Sequence, residues 1–355
     1  MKCTQAWKNF LNEGGIKSTK TDARLTPKLV IQAIDVYKRV LADFNQWLDR
    51  ENQLKVRPVR PVGSVSYAQR DLQDGTDIIY GDVDYLVEFP APPPDGKEYT
   101  EARKDENAMK RKYRKLFISF LNSDLATPEV DIYETLAENS DPFMVILEAH
   151  PGLLVQVDTI MTFPDYADWI STRYTPERGI KGYTIGKLYK ALGDIFPVTI
   201  GTEGVVARTK DGQLVTGRVR KGVELEIISK SPKTFLQDIA NYIIDGDGVR
   251  MHPDLQKHGG MTGEITLRKL AQGIRGLAHT LELNKYMSAS DFLAKVLENY
   301  KEGLEEHKTR TTKRIENKIS QLQDSSQRVK LEKKIKEIGE INAKALKAVT
   351  PELRD

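Results

Sequence analysis

The chain has 355 residues, of which 39% are hydrophobic and 30% charged, with a formal net charge of +3. That length has room for two domains with proper cores, and the high charge suits long exposed helices. The near-neutral balance excludes a global polycation, so any nucleic-acid surface must be a local patch. A single cysteine, Cys3, excludes an internal disulfide and a cysteine-built zinc site. No apolar run approaches membrane-spanning length and no leader-like segment opens the chain, so no membrane association is expected and the expected compartment is cytoplasmic.

Residues 1–25 are polar and irregular. Thr26 as N-cap and Pro27 in the first turn open a helix predicted over about 26–51, with Leu29, Ile34, Tyr37, Val40, Leu41, Phe44 and Leu48 at helical spacing. Two prolines within Val56–Val62 exclude helix and make that stretch extended. It runs into Gly63-Ser64. A strand giving way to a helix there would aim backbone N–H groups and a hydroxyl at phosphate oxygens. After Gly75-Thr76 comes Asp82–Phe89, rich in β-branched and aromatic residues and preceded by a turn-like Gly81, which predicts a strand. Alternation puts Asp82, Asp84, Leu86 and Glu88 on one face. Two like charges at about 4 Å repel by roughly 4 kcal/mol at an effective dielectric near 20. A divalent cation reverses that sign, so the pair points to a hard metal held by oxygen.

Farther on, strands are predicted at about 130–133, 143–148 and 153–163. The last holds the apolar run Leu153–Met161, interrupted by Asp158, and a lone acid in such a run needs a partner or a metal.

Gly63-Ser64, a spacer and Asp82-x-Asp84 on a strand resemble the signature of the DNA polymerase β-like nucleotidyltransferase superfamily, the group of poly(A) polymerases, CCA-adding enzymes, and oligoadenylate and cyclic-oligonucleotide synthases. Gly75-Thr76 before the acidic pair is most similar to the synthase branch. The spacer is longer than the family's, as though Ser66–Gln73 were inserted. The resemblance covers about residues 25–165. It implies a third carboxylate in a Val-Asp context on a neighbouring strand, here Asp158, with Asp131 as runner-up. It implies an α+β fold, a small mixed-sheet core followed by a largely helical second domain that forms the other wall of a cleft. It also implies Mg2+ or Mn2+ held by Asp82, Asp84 and Asp158 in a two-metal-ion arrangement, with Gly63, Ser64 and Thr76 at the nucleotide. The implied reaction moves an NMP from a nucleoside triphosphate to a hydroxyl and releases pyrophosphate.

Between the acidic pair and the third acid, a proline-rich loop at 90–96 leads to a helix predicted at about 100–121. Its basic residues include Lys110, Arg111, Lys112, Arg114 and Lys115, while Tyr113, Phe117 and Phe120 mark a buried side. Those charges read as a solvated face or as a contact for an acceptor strand.

From Pro164 the composition changes. Lys181 and Lys187, at a helix predicted near 184–195, would reach phosphates if that helix faces the cleft. Val198–Ser229 has hairpin character around Lys210-Asp-Gly212, with a basic edge of Arg208, Lys210, Arg218, Arg220 and Lys221. Helices are expected at about 232–244, 262–283 and 289–300. Asp245-Gly-Asp-Gly248 reads as a turn and His258 as a loop residue. Residues 301–355 hold 14 Lys or Arg and 10 Asp or Glu, which predicts a charged helix or helical hairpin with a break near Asp324. The organisation expected is a core at 1–165, a second domain at 166–300 and a helical arm at 301–355 for a protein partner, self-association or RNA.

The acceptor expected is an RNA 3′ end extended without a template, given the basic helix and basic edge. The alternatives are a cyclic or linear oligonucleotide second-messenger synthase and a protein-nucleotidylating enzyme. A catalytically dead binding module has no use for mutually repelling acids.

Overall fold

The computed structural model describes residues 25–90, 99–125, 130–133, 143–151, 153–174, 180–201, 204–210, 213–214, 224–244, 248–260, 266–320 and 325–354. The proline-rich loop beyond Pro90, the Lys210-Asp-Gly212 turn beyond Lys210, Arg218, Arg220, Lys221 and Asp245–Asp247 lie outside them. The fold is α+β. Two compact units divide the chain, one of residues 1–92 and 104–164, the other of 93–103 and 165–355.

The first unit is built on a five-stranded mixed sheet. Helix α1, Pro27–Arg50, starts where the sequence says it must, with the Thr26 hydroxyl accepting from Leu29 N–H at 3.4 Å and Pro27 in the first turn. Strand β1, Arg57–Val62, ends in a 3-10 turn, Gly63–Tyr67, that runs straight into a short helix α2, Ala68–Gln73. Strand β2, Val83–Glu88, follows, and then α3, Tyr99–Leu121, whose residues from Lys104 onward belong to this unit. Strands β3, Val130–Tyr133, β4, Phe143–His150, and β5, Leu153–Thr162, complete the sheet in the order β1-β2-β5-β4-β3. Only β2 and β5 run parallel; the other neighbours are antiparallel.

Helix α1 covers one face of this sheet. Tyr37 meets Tyr85 edge to face at 5.4 Å, and its hydroxyl hydrogen-bonds the hydroxyl of buried Thr159 on β5. Phe44 and Trp47 pack against Phe117 and Phe120 of α3. By alternation, Asp84 on β2 and Asp158 on β5 leave the opposite face.

The stretch expected as an insertion, Ser66–Gln73, is the end of the 3-10 turn plus α2. Ala68 and Asp71 are buried, the Tyr80 hydroxyl donates to the Asp71 carboxylate, and Gly75 at φ +64° turns the chain out of the helix. This stretch therefore forms a packed turn of helix.

The second unit joins helices to an antiparallel sheet. Helices α4, Pro164–Tyr174, and α5, Gly182–Gly193, lead into β6, Val198–Gly201, β7, Gly204–Lys210, β8, Gln213–Leu214, and β9, Glu224–Ser229. Here the expected hairpin insertion is part of a four-stranded sheet centred on β7, whose Val205, Val206 and Ala207 are buried. Helices α6, Phe235–Ile244, α7, Pro253–His258, α8, Leu267–Leu283, α9, Ala289–Ile319, and α10, Ser325–Val349, follow.

Trp169, Leu188, Phe235, Leu277, Phe292 and Tyr300 anchor its core. Gly276 lets α7 lie close on α8: a Cβ there would sit 2.4 Å from Leu255 N. His258 is not a loop residue; it ends α7.

The helix expected to stop at Tyr300 continues to Ile319. Gly303 sits inside it without breaking it, and Leu304 is buried one residue on. Leu304, Ala345, Val349 and Leu353 all belong to the second unit's core, so much of the expected arm is packed into that unit. Among the described residues no helix is long and apolar enough to cross a membrane.

Candidate active site

Strand register sets Asp84 beside Asp158, with Asp82 one residue ahead of β2. On parallel β2 and β5, Asp84 and Asp158 are direct partners, as are Val83 and Val157. On the other side of β2, Asp84 stands opposite Val62, the last residue of β1. One row across three strands thus reads Val62, Asp84, Asp158, and the Gly63-Ser64 turn begins at its end. Adjacent strands lie about 4.8 Å apart, so neighbouring carboxylates on one face are within strong repulsion distance. Asp131 is on β3, at the far edge beyond β4. The sheet sets Asp158, and not Asp131, beside the pair.

The electrostatics follow from that placement. Asp84 is half-buried, and its pKa is pushed up from 3.8 to about 8, first by burial and then by the charges of Asp82 and Asp158. A buried carboxylate with two acids for neighbours takes up a proton unless a cation replaces it. Asp158 accepts a hydrogen bond from the Gln156 amide at 2.7 Å. Among the described residues, no three His, Cys, Asp or Glu side chains are already drawn together as a cation cage. The acids are near enough to act on Asp84 and not clustered around a common point.

The chemistry of the donors fits a hard divalent cation: three carboxylates, all oxygen, no sulfur or imidazole. Asp82, Asp84 and Asp158 are the residues that would hold Mg2+ or Mn2+.

Gly63 has φ +68°, a conformation glycine reaches without a Cβ penalty, and its carbonyl accepts from the Ser66 hydroxyl at 2.8 Å. That turn leaves Ser64 exposed at its start. Thr76 has a structural role, since its N–H and hydroxyl both donate to the Asp71 carbonyl, at 3.0 and 3.1 Å, closing the C-terminus of α2.

Lys181 and Lys187 lie in the second unit. Lys181 is the N-cap position of α5, exposed, and pairs with Glu337 of α10 at 3.7 Å. Lys187 runs beside Gly303 of α9, and burial lowers its pKa. The expected basic edge of the β6–β9 region loses Arg208. That side chain is buried and donates to the carbonyls of Gly193 and Val198 at 3.2 Å, a packing role that leaves its charge inside. On α3, Arg111, Lys112 and Lys115 are exposed, whereas Lys110 is half-buried and pairs with Glu106 at 3.3 Å.

Gln156 is the site residue that motif reading passed over. Its signal was present: Gln-x-Asp on a strand puts both side chains on one face. No protein-family model matches the chain, and no curated protein matches it.

Proposed function

We propose that the first unit is the catalytic core of a divalent-cation-dependent nucleotidyltransferase. The observation that carries this reading is the register of Asp84 with Asp158, which sets two acids side by side where β1 runs into the Gly63-Ser64 turn, with Asp82 two residues ahead of Asp84. The same residues carry the resemblance to the polymerase β-like superfamily.

In the reaction proposed, an acceptor hydroxyl attacks the α-phosphorus of a nucleoside triphosphate. The α–β phosphoanhydride bond breaks, pyrophosphate leaves, and the hydroxyl gives up its proton. Mg2+ or Mn2+, when bound, would offset triphosphate charge and increase the acidity of the attacking hydroxyl. The protein's own share is placement. Asp84 and Asp158 present oxygen ligands from a rigid sheet, Asp82 adds a third just ahead of β2, and the Gly63 backbone and Ser64 hydroxyl hold the outer phosphates. A pKa near 8 for Asp84 fits a site that trades a proton for a cation.

The acceptor proposed is an RNA 3′ hydroxyl, supported by the exposed Arg111, Lys112 and Lys115 on α3. Each labelled nucleoside triphosphate, incubated with Mg2+ and with or without an RNA oligonucleotide, should extend the RNA and release pyrophosphate. Replacing Arg111, Lys112 and Lys115 by Gln should weaken RNA binding and flatten its salt dependence by roughly 0.7 per lost contact on a single strand. Soluble oligonucleotide products formed without RNA would move the acceptor to a nucleotide, and label fixed to protein would move it to a polypeptide. No transfer under any of these conditions overturns the reading.

A further inference from the structure

Gln156 precedes Asp158 by two residues on β5, so both side chains leave the strand on one face. Its side chain is 7% exposed. The amide nitrogen donates to Asp158 Oδ1 at 2.7 Å and to Met144 Sδ at 3.2 Å. Met144 is the residue opposite Asp158 on β4. Both amide hydrogens therefore have partners, and both partners belong to the strand row that carries the acids.

What sets this contact apart is that the donor is neutral. A lysine or arginine in its place would fix the carboxylate and also cancel its charge, as Arg57 does for Glu88 on β2. An amide fixes the orientation and adds no positive charge of its own. Burial on a central strand keeps the amide from exchanging this bond for water.

We propose that Gln156 is a positioning residue that holds the Asp158 carboxylate in the orientation a divalent cation requires. This rests on the reading that the three acids hold such a cation. Hydrogen-bond partners behind a metal ligand typically carry about 10–100-fold in metal affinity.

The test is Mn2+ binding to the metal-free full-length protein with a non-hydrolysable nucleoside triphosphate present. Free Mn2+ is read by electron paramagnetic resonance, beside thermal melting without metal. Gln156→Met, close in length and volume, and Gln156→Leu should bind Mn2+ roughly 10–100-fold more weakly. Their metal-free melting and metal-free triphosphate binding should stay near wild type, which a merely structural role would not separate. Asp158→Ala should lose more than either. Wild-type Mn2+ affinity in the foldable Gln156 variant, with binding lost in Asp158→Ala, overturns the positioning role and leaves the cation site standing. A wild type that binds no Mn2+, or an Asp158→Ala that binds it equally well, overturns the cation reading and this role with it.

Discussion

The two ends of the β2–β5 pair treat buried acids in opposite ways. Asp84 and Glu88 lie on the same face of β2, and each has a β5 residue beside it in register, Asp158 and Thr162. At the Glu88 end, acids meet cations. Arg57 Nε donates to Glu88 at 2.6 Å, and Glu106 takes a hydrogen bond from Thr162 at 3.2 Å while Lys110 sits 3.3 Å away. At the Asp84 end, acid meets acid, and burial first, then the charges of Asp82 and Asp158, raise the Asp84 pKa. The sheet thus supplies internal countercharges where an acid serves packing. Where acids face acids instead, burial and mutual repulsion make the charged form of Asp84 costly.

The largest expected effect is on chemistry. Asp82→Ala, Asp84→Ala and Asp158→Ala should each cut nucleotidyl transfer by roughly 10³-fold or more while leaving the metal-free protein folded. Glu106→Gln, at the neutralised end, should leave turnover per folded molecule near wild type. Turnover of labelled triphosphate beside thermal melts separates the two sets, and equal losses at both ends would erase the distinction.

Next in size is a stability effect with opposite signs at the two ends. The folded-state pKa of Asp84, about 8, lies above its ordinary 3.8. Between those values the folded chain holds a proton that the unfolded chain has released. Metal-free stability should therefore fall as pH rises from about 4 to about 8 and level off above. The upper bound of that loss is on the order of 5 kcal/mol. Asp84→Asn should remove this slope and be more stable than wild type at pH 8. Urea titrations at a series of pH values measure it, and parallel curves for the two proteins would mean that neither burial nor the neighbouring acids raise the Asp84 pKa.

Much of the acidic end was legible in the sequence because its signals are local. A strand shows itself by β-branched composition and a two-residue period, so Asp84 and Asp158 fall on strands without knowledge of pairing, while Asp82, expected to open its strand, lies one residue ahead of β2. The opening helix was legible through Thr26 and Pro27. Which strands are neighbours is a long-range matter, and so the choice between Asp158 and Asp131 needed the sheet order. The neutralised end was illegible for the same reason, since Arg57, Glu88, Glu106 and Lys110 come from three separate elements. Arg208 was misplaced because arginines are mostly exposed, and only the carbonyls at the end of α5 and the start of β6 explain its burial. The length of α9 was missed because Gly303 costs a helix only about 1 kcal/mol, which packing outweighs.

At the neutralised end, Glu106→Ala should cost about 1–3 kcal/mol, because it strips a half-buried ammonium and the Thr162 hydroxyl of their acceptor. Glu88→Gln should cost less, since its partner Arg57 is 69% exposed and can be rehydrated. Denaturant unfolding at pH 8 gives both values. The comparison is sharpened if these losses appear under the conditions where Asp84→Asn gains.

The smallest expected effect contrasts the two faces of β5. Thr159 follows Asp158 in sequence but leaves the strand on the side covered by α1, where the Tyr37 hydroxyl bonds it. Both groups are buried, and burial raises the Tyr37 pKa, so this contact stays neutral across ordinary pH. Tyr37→Phe removes one hydroxyl and leaves the Thr159 hydroxyl to find another acceptor, a loss of about 1 kcal/mol. The ring stays, and with it the edge-to-face contact with Tyr85. Because the strand backbone separates the two faces, Mn2+ affinity and turnover should not change. A variant that loses stability alone keeps the helix-facing side as scaffold and the acidic side as site. A tenfold loss of Mn2+ affinity in Tyr37→Phe would show instead that α1 sets the geometry of Asp158 through the strand, and the division between the faces would have to be given up.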